Sequence, residues 1–286
     1  ILLFDDDEKI KINKTLKKKI KSIRRIEKTQ FDAVILSPGI DIKKCRLKNF
    51  LKKNLKKIYT DLDIFYSFFN NRCITITGTN GKSTTCQLLY EVLKKQGLDV
   101  KLAGNIGLPI LSTKNINNHS IFVIEASSYQ LEYSKLFNSE IAALLNISVD
   151  HLERHKTLKN YISAKFKLIK NQKKNSIAFI NRYDPYITKE IKKKNYRSKI
   201  FKVNTKLSNK FLRFLKNDYL LSSSNIENLS FVFEISKIFK VKRRIIFNII
   251  KNFKGLKYRQ QIIFKNKNII IINDSKSTSY SSSVEI

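Results

Sequence analysis

The run Thr77-Gly-Thr-Asn-Gly-Lys-Ser-Thr84 constrains the fold more than any other feature of the sequence. Ahead of it, Cys73–Thr77 reads as a short buried strand. Behind it, Ser83–Gln96 reads as a helix with Leu88, Leu89, Val92 and Leu93 on one face, stopped by Gly97 as a C′ glycine. Strand, glycine turn, Lys-Ser and helix, in that order, form the layout of a phosphate-binding loop. Backbone N–H groups at the helix start cradle phosphate oxygens, the Lys82 ammonium neutralises them, and the Ser83 hydroxyl reaches toward a magnesium ion. The common pattern carries another glycine five residues before Gly81, where this chain has Ile76. The run is read as a nucleoside triphosphate site built from Gly78, Thr79, Asn80, Gly81, Lys82, Ser83 and Thr84.

Glycine is otherwise scarce, with seven in 286 residues, so each one marks a place where the backbone demands it. Gly104-Asn-Ile-Gly107 and Ser37-Pro-Gly39 mark two further tight loops of the kind that carry ligands. Strand candidates Ile121–Glu125, Ala142–Ile147, Ser176–Ile180 and Lys199–Val203 alternate with helix candidates Lys159–Asn171, Asn225–Phe239 and Arg243–Asn252. Such alternation argues for a doubly wound, mostly parallel sheet. In residues 1–72, Ile1–Phe4 reads as a strand ending in Asp5-Asp-Asp7, and Ala33–Leu36 as another ending in Ser37-Pro-Gly39. After Gly255, Gln261–Phe264 and Ile269–Ile272 read as a hairpin. The expectation is an α/β chain with a Rossmann-like N-terminal domain (1–72) and a P-loop-type central domain (73–255). A truncated third α/β domain (256–286) follows, too short for a core of its own.

Composition narrows the class. The chain is 42% hydrophobic and 28% charged, which excludes disordered, collagenous and fibrous proteins. Its apolar runs are strand-length, so no membrane insertion is expected. It has no signal pattern, and its three cysteines lack metal-ligand spacing, so a cytoplasmic location fits. Methionine is absent, which is read as the mark of a piece of a longer protein. The net charge of +34 (57 − 23) would suit a nucleic-acid partner. The excess, however, is lysine spread along the whole chain, as in Lys17–Lys19 and Lys192–Lys194, without the aromatic interleaving that stacks bases. It is read as compositional bias with no nucleic-acid partner, and a basic P-loop nucleic-acid-binding ATPase stands as the rival class.

Around the loop, Glu125 closes an apolar strand, where P-loop folds place the acid of the magnesium shell. The polar stretch Ala126–Glu132 reads as a loop. His151 follows the strand Ala142–Ile147 and is placed to meet a second metal ion or substrate. His119 and His155 read as surface residues. Nothing in the local sequence singles out Lys165 among the 57 basic residues.

Gly78-Thr-Asn-Gly-Lys-Ser-Thr84, Gly104-Asn-Ile-Gly107, Glu125-Ala-Ser-Ser-Tyr-Gln-Leu-Glu132, Asn146-Ile-Ser-Val-Asp-His151 and Asn273-Asp-Ser-Lys-Ser-Thr278 occur in this order. The set resembles the Mur ligases. With Ser37-Pro-Gly-Ile40, the last motif looks most like the D-glutamate-adding branch of that family. Related ligases adding other amino acids, and folylpolyglutamate synthetase, typically carry an Asp-x-x-(His/Asn)-Asn-Pro stretch there. The resemblance implies an ATP-dependent ligase of peptidoglycan synthesis, a cell-wall pathway tied to cell shape and division. Such an enzyme joins D-glutamate to UDP-N-acetylmuramoyl-L-alanine through an acyl phosphate. By position, Lys82 would hold the phosphates, Ser83 and Glu125 one Mg²⁺, and His151 a second. Lys165 matches the lysine that is carbamylated by CO₂ and so becomes an oxygen donor. Asn225 and Asn228 would lie near adenine, Arg259 would reach the phosphates, and Asp274 the ribose or phosphates. Asn105 and Ser127 would contact the muramoyl-alanine arm, Ser37, Pro38, Gly39 and the Asp5–Asp7 turn the uridine diphosphate, and Lys276 and Thr278 the third-domain junction. The chain is expected to be a monomer. Ser222-Ser-Ser stands before Asn225 where the family often has Gly-x-His, and a related ligase using another amino acid is the nearest alternative reading.

Overall fold

A computed structural model describes residues 1–5, 14–206, 215 and 217–276. Of the sequence-predicted positions, Asp6, Asp7 and Thr278 lie outside these. The N-terminal unit contains α1 (Lys14–Lys17), α2 (Ile23–Glu27), β1 (Val34–Ile35), α3 (Lys48–Lys53) and β2 (Ile58–Tyr59). β1 and β2 pair in parallel over a small core of Ile26, Leu36, Leu47, Phe50, Leu51 and Ile58. The strand expected at Ile1–Phe4 is instead one parallel bridge between Leu3 and Ile20. Ile20 ends a turn between Lys19 and Lys21, so the apolar run finds a ladder partner at one residue only.

The central unit follows as α4 (Asp61–Phe68), β3 (Arg72–Thr77), α5 (Lys82–Lys95), β4 (Val100–Gly104), β5 (Ile121–Glu125), α6 (Ser128–Tyr133), β6 (Ile141–Leu144), α7 (Leu152–His155), α8 (Leu158–Lys170), β7 (Ile177–Asn181), α9 (Pro185–Ile191), β8 (Lys199–Val203), α10 (Ser223–Ile238) and α11 (Arg243–Asn252). Its six strands form one parallel sheet in the order β4-β5-β3-β6-β7-β8. β9 (Gln261–Lys265) and β10 (Ile270–Asn273) form the expected antiparallel hairpin. The fold is therefore α/β with a mostly parallel sheet.

The strands are apolar on both faces because helices cover both, the signature of a parallel sheet. Side chains alternate across the pleat. Ile74, Ile76, Val123 and Ala143 face a core shared with Leu88, Leu89 and Val92 of α5, Phe231 of α10 and Ile246 of α11. Phe122, Ile124, Ala142 and Leu144 face the opposite core, with Leu62 and Phe65 of α4 and Tyr161 and Phe166 of α8. β3 lies between β5 and β6, so the C-terminal ends of these three strands converge where the order of strands reverses. Ligands of open α/β sheets bind at such a point.

Several elements, α4, α6, α9 and β4 among them, depart from the sequence reading. The stretch after Glu125 is not a loop: Ser127 caps α6, accepting from Gln130 N at 3.2 Å, while Gln130 Oε1 takes the Ser127 N–H at 3.1 Å. This capping box nucleates a six-residue helix too short to show apolar periodicity. β4 is likewise unforeseen, because Val100-Lys-Leu-Ala-Gly104 has no apolar run and owes its strand to pairing with β5.

α4 is anchored through Asp63, whose side chain is fully buried. Asp63 Oδ1 accepts from Ser134 Oγ at 2.9 Å and from the backbone N–H groups of Lys135, Leu136 and Phe137 at 2.9, 2.8 and 2.9 Å. Its other oxygen accepts from Thr60 N at 3.0 Å. Removing the carboxylate strands several buried donors, each costing about 1–3 kcal/mol. Asp63→Ala is therefore expected to lower the unfolding free energy by at least about 3 kcal/mol, read as a fall in the denaturant midpoint; an unchanged midpoint would show that these donors find other acceptors.

Candidate functional site

Gly81 turns the chain from the β3 loop into α5 with φ +80°. A Cβ there would sit 2.0 Å from Asn228 Oδ1, so α10 is docked directly on the loop. The other side of the loop is held by Asn146, just beyond β6. Its Oδ1 accepts from Thr79 N at 3.1 Å and Asn80 N at 2.8 Å, and its backbone carbonyl accepts from Thr79 N at 3.0 Å. Asn146 opens the motif Asn146-Ile-Ser-Val-Asp-His151, and the structure gives it the role of loop anchor. Its signal is its place two residues beyond the apolar strand β6.

Glu125 ends β5 with 0% exposure. Its Oε2 accepts from Ser83 Oγ at 2.7 Å and its Oε1 from Asn105 Nδ2 at 2.7 Å. The structure thus joins three sequence-predicted residues from three segments in one buried contact. Lys82 folds over the loop, donating from Nζ to Thr79 O at 2.7 Å. Burial lowers its pKa, the charge of Glu125 opposes that, Arg259 adds to it, and Asp150 opposes it.

Lys165 of α8 is brought to the same place. Its Nζ donates to Gly78 O at 2.6 Å and lies 4.6 Å from the centre of the Tyr161 ring. Burial pushes the ammonium well below its ordinary pKa; Lys82 acts in the same direction, and Asp150 and Glu125 oppose it. Tyr161, one helical turn before Lys165, shares a hydrogen bond with Thr79 Oγ1 at 3.1 Å, and that hydroxyl also accepts from Ser148 N at 2.9 Å. His151 stands at the start of α7 in a left-handed conformation, φ +54°. Its Nε2 is 3.5 Å from Asp150 Oδ2 and its Nδ1 3.5 Å from Glu153 Oε1.

Between the loop and α10 lies a cavity of about 230 Å³. It is lined by Asn80, Gly81 and Thr84 of the loop and α5, by Asn225 and Asn228 of α10, and by Arg259 and Asp274. Asn225 Nδ2 donates to Tyr219 O at 2.7 Å, and Asn228 Nδ2 to Asn225 Oδ1 at 3.1 Å, so both amides are oriented. Arg259 and Asp274 flank the β9–β10 hairpin, and the hairpin pairing is what brings them together. Other expected positions lie elsewhere. Ser127 is engaged in the α6 cap, and Lys276 is exposed, with its ammonium 5.8 Å from the Tyr258 ring centre. The Ser37-Pro38-Gly39 turn belongs to the N-terminal unit. There Ser37 and Asp5 line a second, mainly apolar cavity of about 570 Å³ together with Phe4, Phe31 and Phe50.

Among the described residues no group of three or more His, Cys, Asp or Glu is arranged to hold a metal ion. The Ser83 hydroxyl and Glu125 carboxylate, 2.7 Å apart, are the hard oxygen donors at the loop. Two such donors suit magnesium, which retains waters and phosphate oxygens in its shell.

A parallel sheet with a phosphate loop on a central strand and a buried acid on the neighbouring strand defines a P-loop-type α/β domain. Residues 76–250 match the Mur ligase middle domain, and the chain belongs to the Mur ligase family. It is 36% identical over 275 residues to the UDP-N-acetylmuramoylalanine–D-glutamate ligase of Rickettsia felis, covering 89% of this chain and 60% of that protein. The ligase of the same name from Buchnera aphidicola subsp. Baizongia pistaciae is 36% identical over 267 residues, covering 88% and 59%. The chain thus spans about 60% of the length of these curated relatives. In fold it resembles the MurF ligase of Thermotoga maritima in complex with ADP (TM-score 0.60, 15% identity, covering 89% of this chain and 73% of that one). It also resembles the UDP-N-acetylmuramate-alanine ligase MurC of Thermotoga maritima (TM-score 0.54, 18% identity, covering 85% and 60%). No helix among the described residues is long and apolar enough to cross a membrane.

His119 is exposed as expected, but His155 is not a surface residue. It is 3% exposed, its Nε2 lies 3.0 Å from Ser128 Oγ, and its ring packs 5.3 Å from that of Tyr161. The short α7 turns it inward against α6 and α8, which no periodicity over four residues reveals. Burial lowers its pKa below the ordinary 6.5; Glu132 opposes this, while Arg154, Lys165 and His151 add to it. The unfolded chain therefore binds this proton more readily than the folded one. Stability is at its full value above pH 6.5 and falls as pH drops below it. His155→Phe should flatten that acid limb when denaturant midpoints are compared on the two sides of pH 6.5; an unchanged limb would place the titration elsewhere.

Proposed function

We propose that the protein is an ATP-dependent ligase of peptidoglycan precursor synthesis, joining UDP-N-acetylmuramoyl-L-alanine to D-glutamate by an amide bond. The observation that carries this reading is the buried contact of Ser83, Asn105 and Glu125, set beside Lys82 and Lys165 in a member of the Mur ligase family. The named relatives support the choice of substrates.

In this reading the substrate carboxylate attacks the γ-phosphorus of ATP, ADP departs, and the D-glutamate amine displaces phosphate from the acyl phosphate, losing a proton. Catalysis is then positioning and charge neutralisation. Gly78–Thr84 present backbone N–H groups to the phosphates, and Lys82 adds its ammonium. Arg259 reaches the same phosphates, Asn225 and Asn228 face the adenine, and Asp274 faces the ribose or the phosphates. Ser83 and Glu125 would hold a Mg²⁺ ion, with His151 facing a second; bound Mg²⁺ neutralises charge on the transferring phosphoryl group. Lys165 is suited to carbamylation because burial favours the neutral amine, the form that adds to CO₂ with loss of one proton. The carbamate then offers oxygens where an ammonium offers none.

Asn105 and Ser127 are assigned to the muramoyl-alanine arm, and Ser37, Pro38 and Gly39 to the uridine diphosphate. Residues 1–72 would hold the nucleotide-sugar, 73–255 the ATP, and 256–286, with Lys276 and Thr278, would begin the amino-acid-binding domain. The protein works as a monomer in the cytoplasm.

Phosphate release by the intact protein, given Mg²⁺, ATP, UDP-N-acetylmuramoyl-L-alanine and one amino acid at a time, tests the reading. Release is expected with D-glutamate alone. Lys82→Ala and Glu125→Gln should each lower kcat/KM by about 100-fold or more. Release with a different amino acid would overturn the specificity, and none with any amino acid would overturn the ligase assignment.

A further inference from the structure

The sheet face opposite α5 holds a hydroxyl that the assignments above leave unused. Thr77 ends β3 with 0% exposure, and its Oγ1 has no hydrogen-bond partner among the described residues. The pleat sets its direction. Ile74 and Ile76 face the core of α5, whereas Cys73 faces the core of α8. Leu144, the register partner of Thr77 on β6, faces that second core too. Thr77 therefore points to the α8 side, where Lys165 Nζ donates at 2.6 Å to the carbonyl of the next residue, Gly78. A buried hydroxyl without a partner is destabilising, so its place calls for a reason. Thr77 lines neither of the two cavities described above, so a nucleotide in the loop cavity does not supply the missing partner.

A group carried by Lys165 supplies it. In carbamylation the neutral Lys165 nitrogen bonds to the carbon of CO₂, one C–O π pair moves onto oxygen, and one N–H proton leaves to solvent. The product has two oxygens sharing a negative charge and one remaining N–H. That N–H matches the Gly78 carbonyl, which only accepts. Lys165 is 2% exposed, so the oxygens are cut off from water and need donors from the protein. The nearby hydroxyls of Thr79 and Tyr161 are taken: they share a hydrogen bond at 3.1 Å, and Thr79 Oγ1 also donates to Ser148 O at 3.4 Å. The face of the Tyr161 ring, 4.6 Å from Nζ, offers no donor. We infer that Thr77 is a positioning residue for Lys165, its hydroxyl donating to one carbamate oxygen and so favouring the carbamylated form. This rests on the reading of Lys165 as a carbamylated residue. A second unpartnered hydroxyl, Ser148 Oγ, belongs to the wall of the nucleotide cavity and serves as the control.

Titration of the intact protein with ¹³C-labelled bicarbonate, followed by the carbamate signal in ¹³C NMR, tests it on wild type, Thr77→Val, Thr77→Ser, Ser148→Ala and Lys165→Ala. A signal present in wild type and missing from Lys165→Ala belongs to the Lys165 carbamate. A lost hydrogen bond to a charged group should raise the bicarbonate concentration for half-occupancy by about tenfold or more in Thr77→Val. Thr77→Ser, which keeps the hydroxyl, and Ser148→Ala should stay close to wild type. Melting temperatures give a second readout. Without CO₂, Thr77→Val should melt no lower than wild type, because the methyl group replaces an unpartnered hydroxyl. Added bicarbonate should then raise the melting temperature of wild type more than that of Thr77→Val. Equal half-occupancy in wild type and Thr77→Val, or an effect confined to Ser148→Ala, would overturn the inference and leave the carbamate standing. So would a Thr77→Val protein that melts well below wild type without CO₂, since the hydroxyl would then serve the fold itself. Absence of a Lys165-dependent signal in wild type would overturn the carbamate and the inference together.

Discussion

A carboxylate with no access to water needs donors, and Glu125 takes them from two segments that share no sequence neighbourhood. Ser83 belongs to the first turn of α5 and Asn105 to the turn after β4, and each donates to one oxygen of Glu125 at 2.7 Å. The acid itself is fixed by β5, paired on one side to β3 and on the other to β4. An unpaired buried charge is costly, so the sheet register, the helix start and the Gly104 turn must be right together. The contact that specifies the local fold is also the one that sets a hydroxyl and a carboxylate side by side at the mouth of the phosphate loop.

The loop is held on its remaining sides by groups that add positive charge or polar contacts without adding acid. Lys82 and Lys165 each donate to a loop carbonyl, Thr79 O and Gly78 O, at 2.7 and 2.6 Å. Asn146 engages the loop amides, and Asn228 presses on Gly81. Burial lowers the pKa of both lysines, Lys82 adds to the effect on Lys165, and Arg259 adds to the effect on Lys82. Basic groups gathered around one loop suit a polyanion, in keeping with the phosphate-loop layout. This local match owes nothing to the +34 net charge, most of which lies on lysines spread over the surface. The few basic groups that matter are distinguished by burial and by what they touch.

That distinction explains what the sequence could and could not show. The phosphate loop, β5 with Glu125 at its end, β8 and α11 follow from local pattern, because apolar runs of strand length and helical spacing are read within one segment. The positions of Lys165 and His155 are set by α7 and α8 folding back over the sheet. Lys165 is legible only through family resemblance, and the burial of His155 is not legible at all, because a four-residue helix has no periodicity to read. Asp63 gave no signal either, since its donors at Ser134–Phe137 are about seventy residues away in the chain.

The cavity wall draws on two parts of the fold with different supports. α5, α10 and the turn after β6 are embedded in the central core, whereas Arg259 and Asp274 ride on the junction and hairpin beyond Phe253. That junction is packed tightly at one point. Gly255 has φ +75°, and a Cβ there would approach the Tyr219 ring to 2.8 Å. Tyr219 in turn accepts the Asn225 amide at its carbonyl, 2.7 Å away, and its ring lies 5.8 Å from that of Phe253. Gln260 N donates to Asp274 Oδ1 at 3.0 Å, which closes the two ends of the hairpin on each other. The residue that orients Asn225 is therefore the one on which the junction rests. The hairpin junction and the amide of Asn225 are thus packed through one aromatic residue, so a substitution at Tyr219 would loosen both.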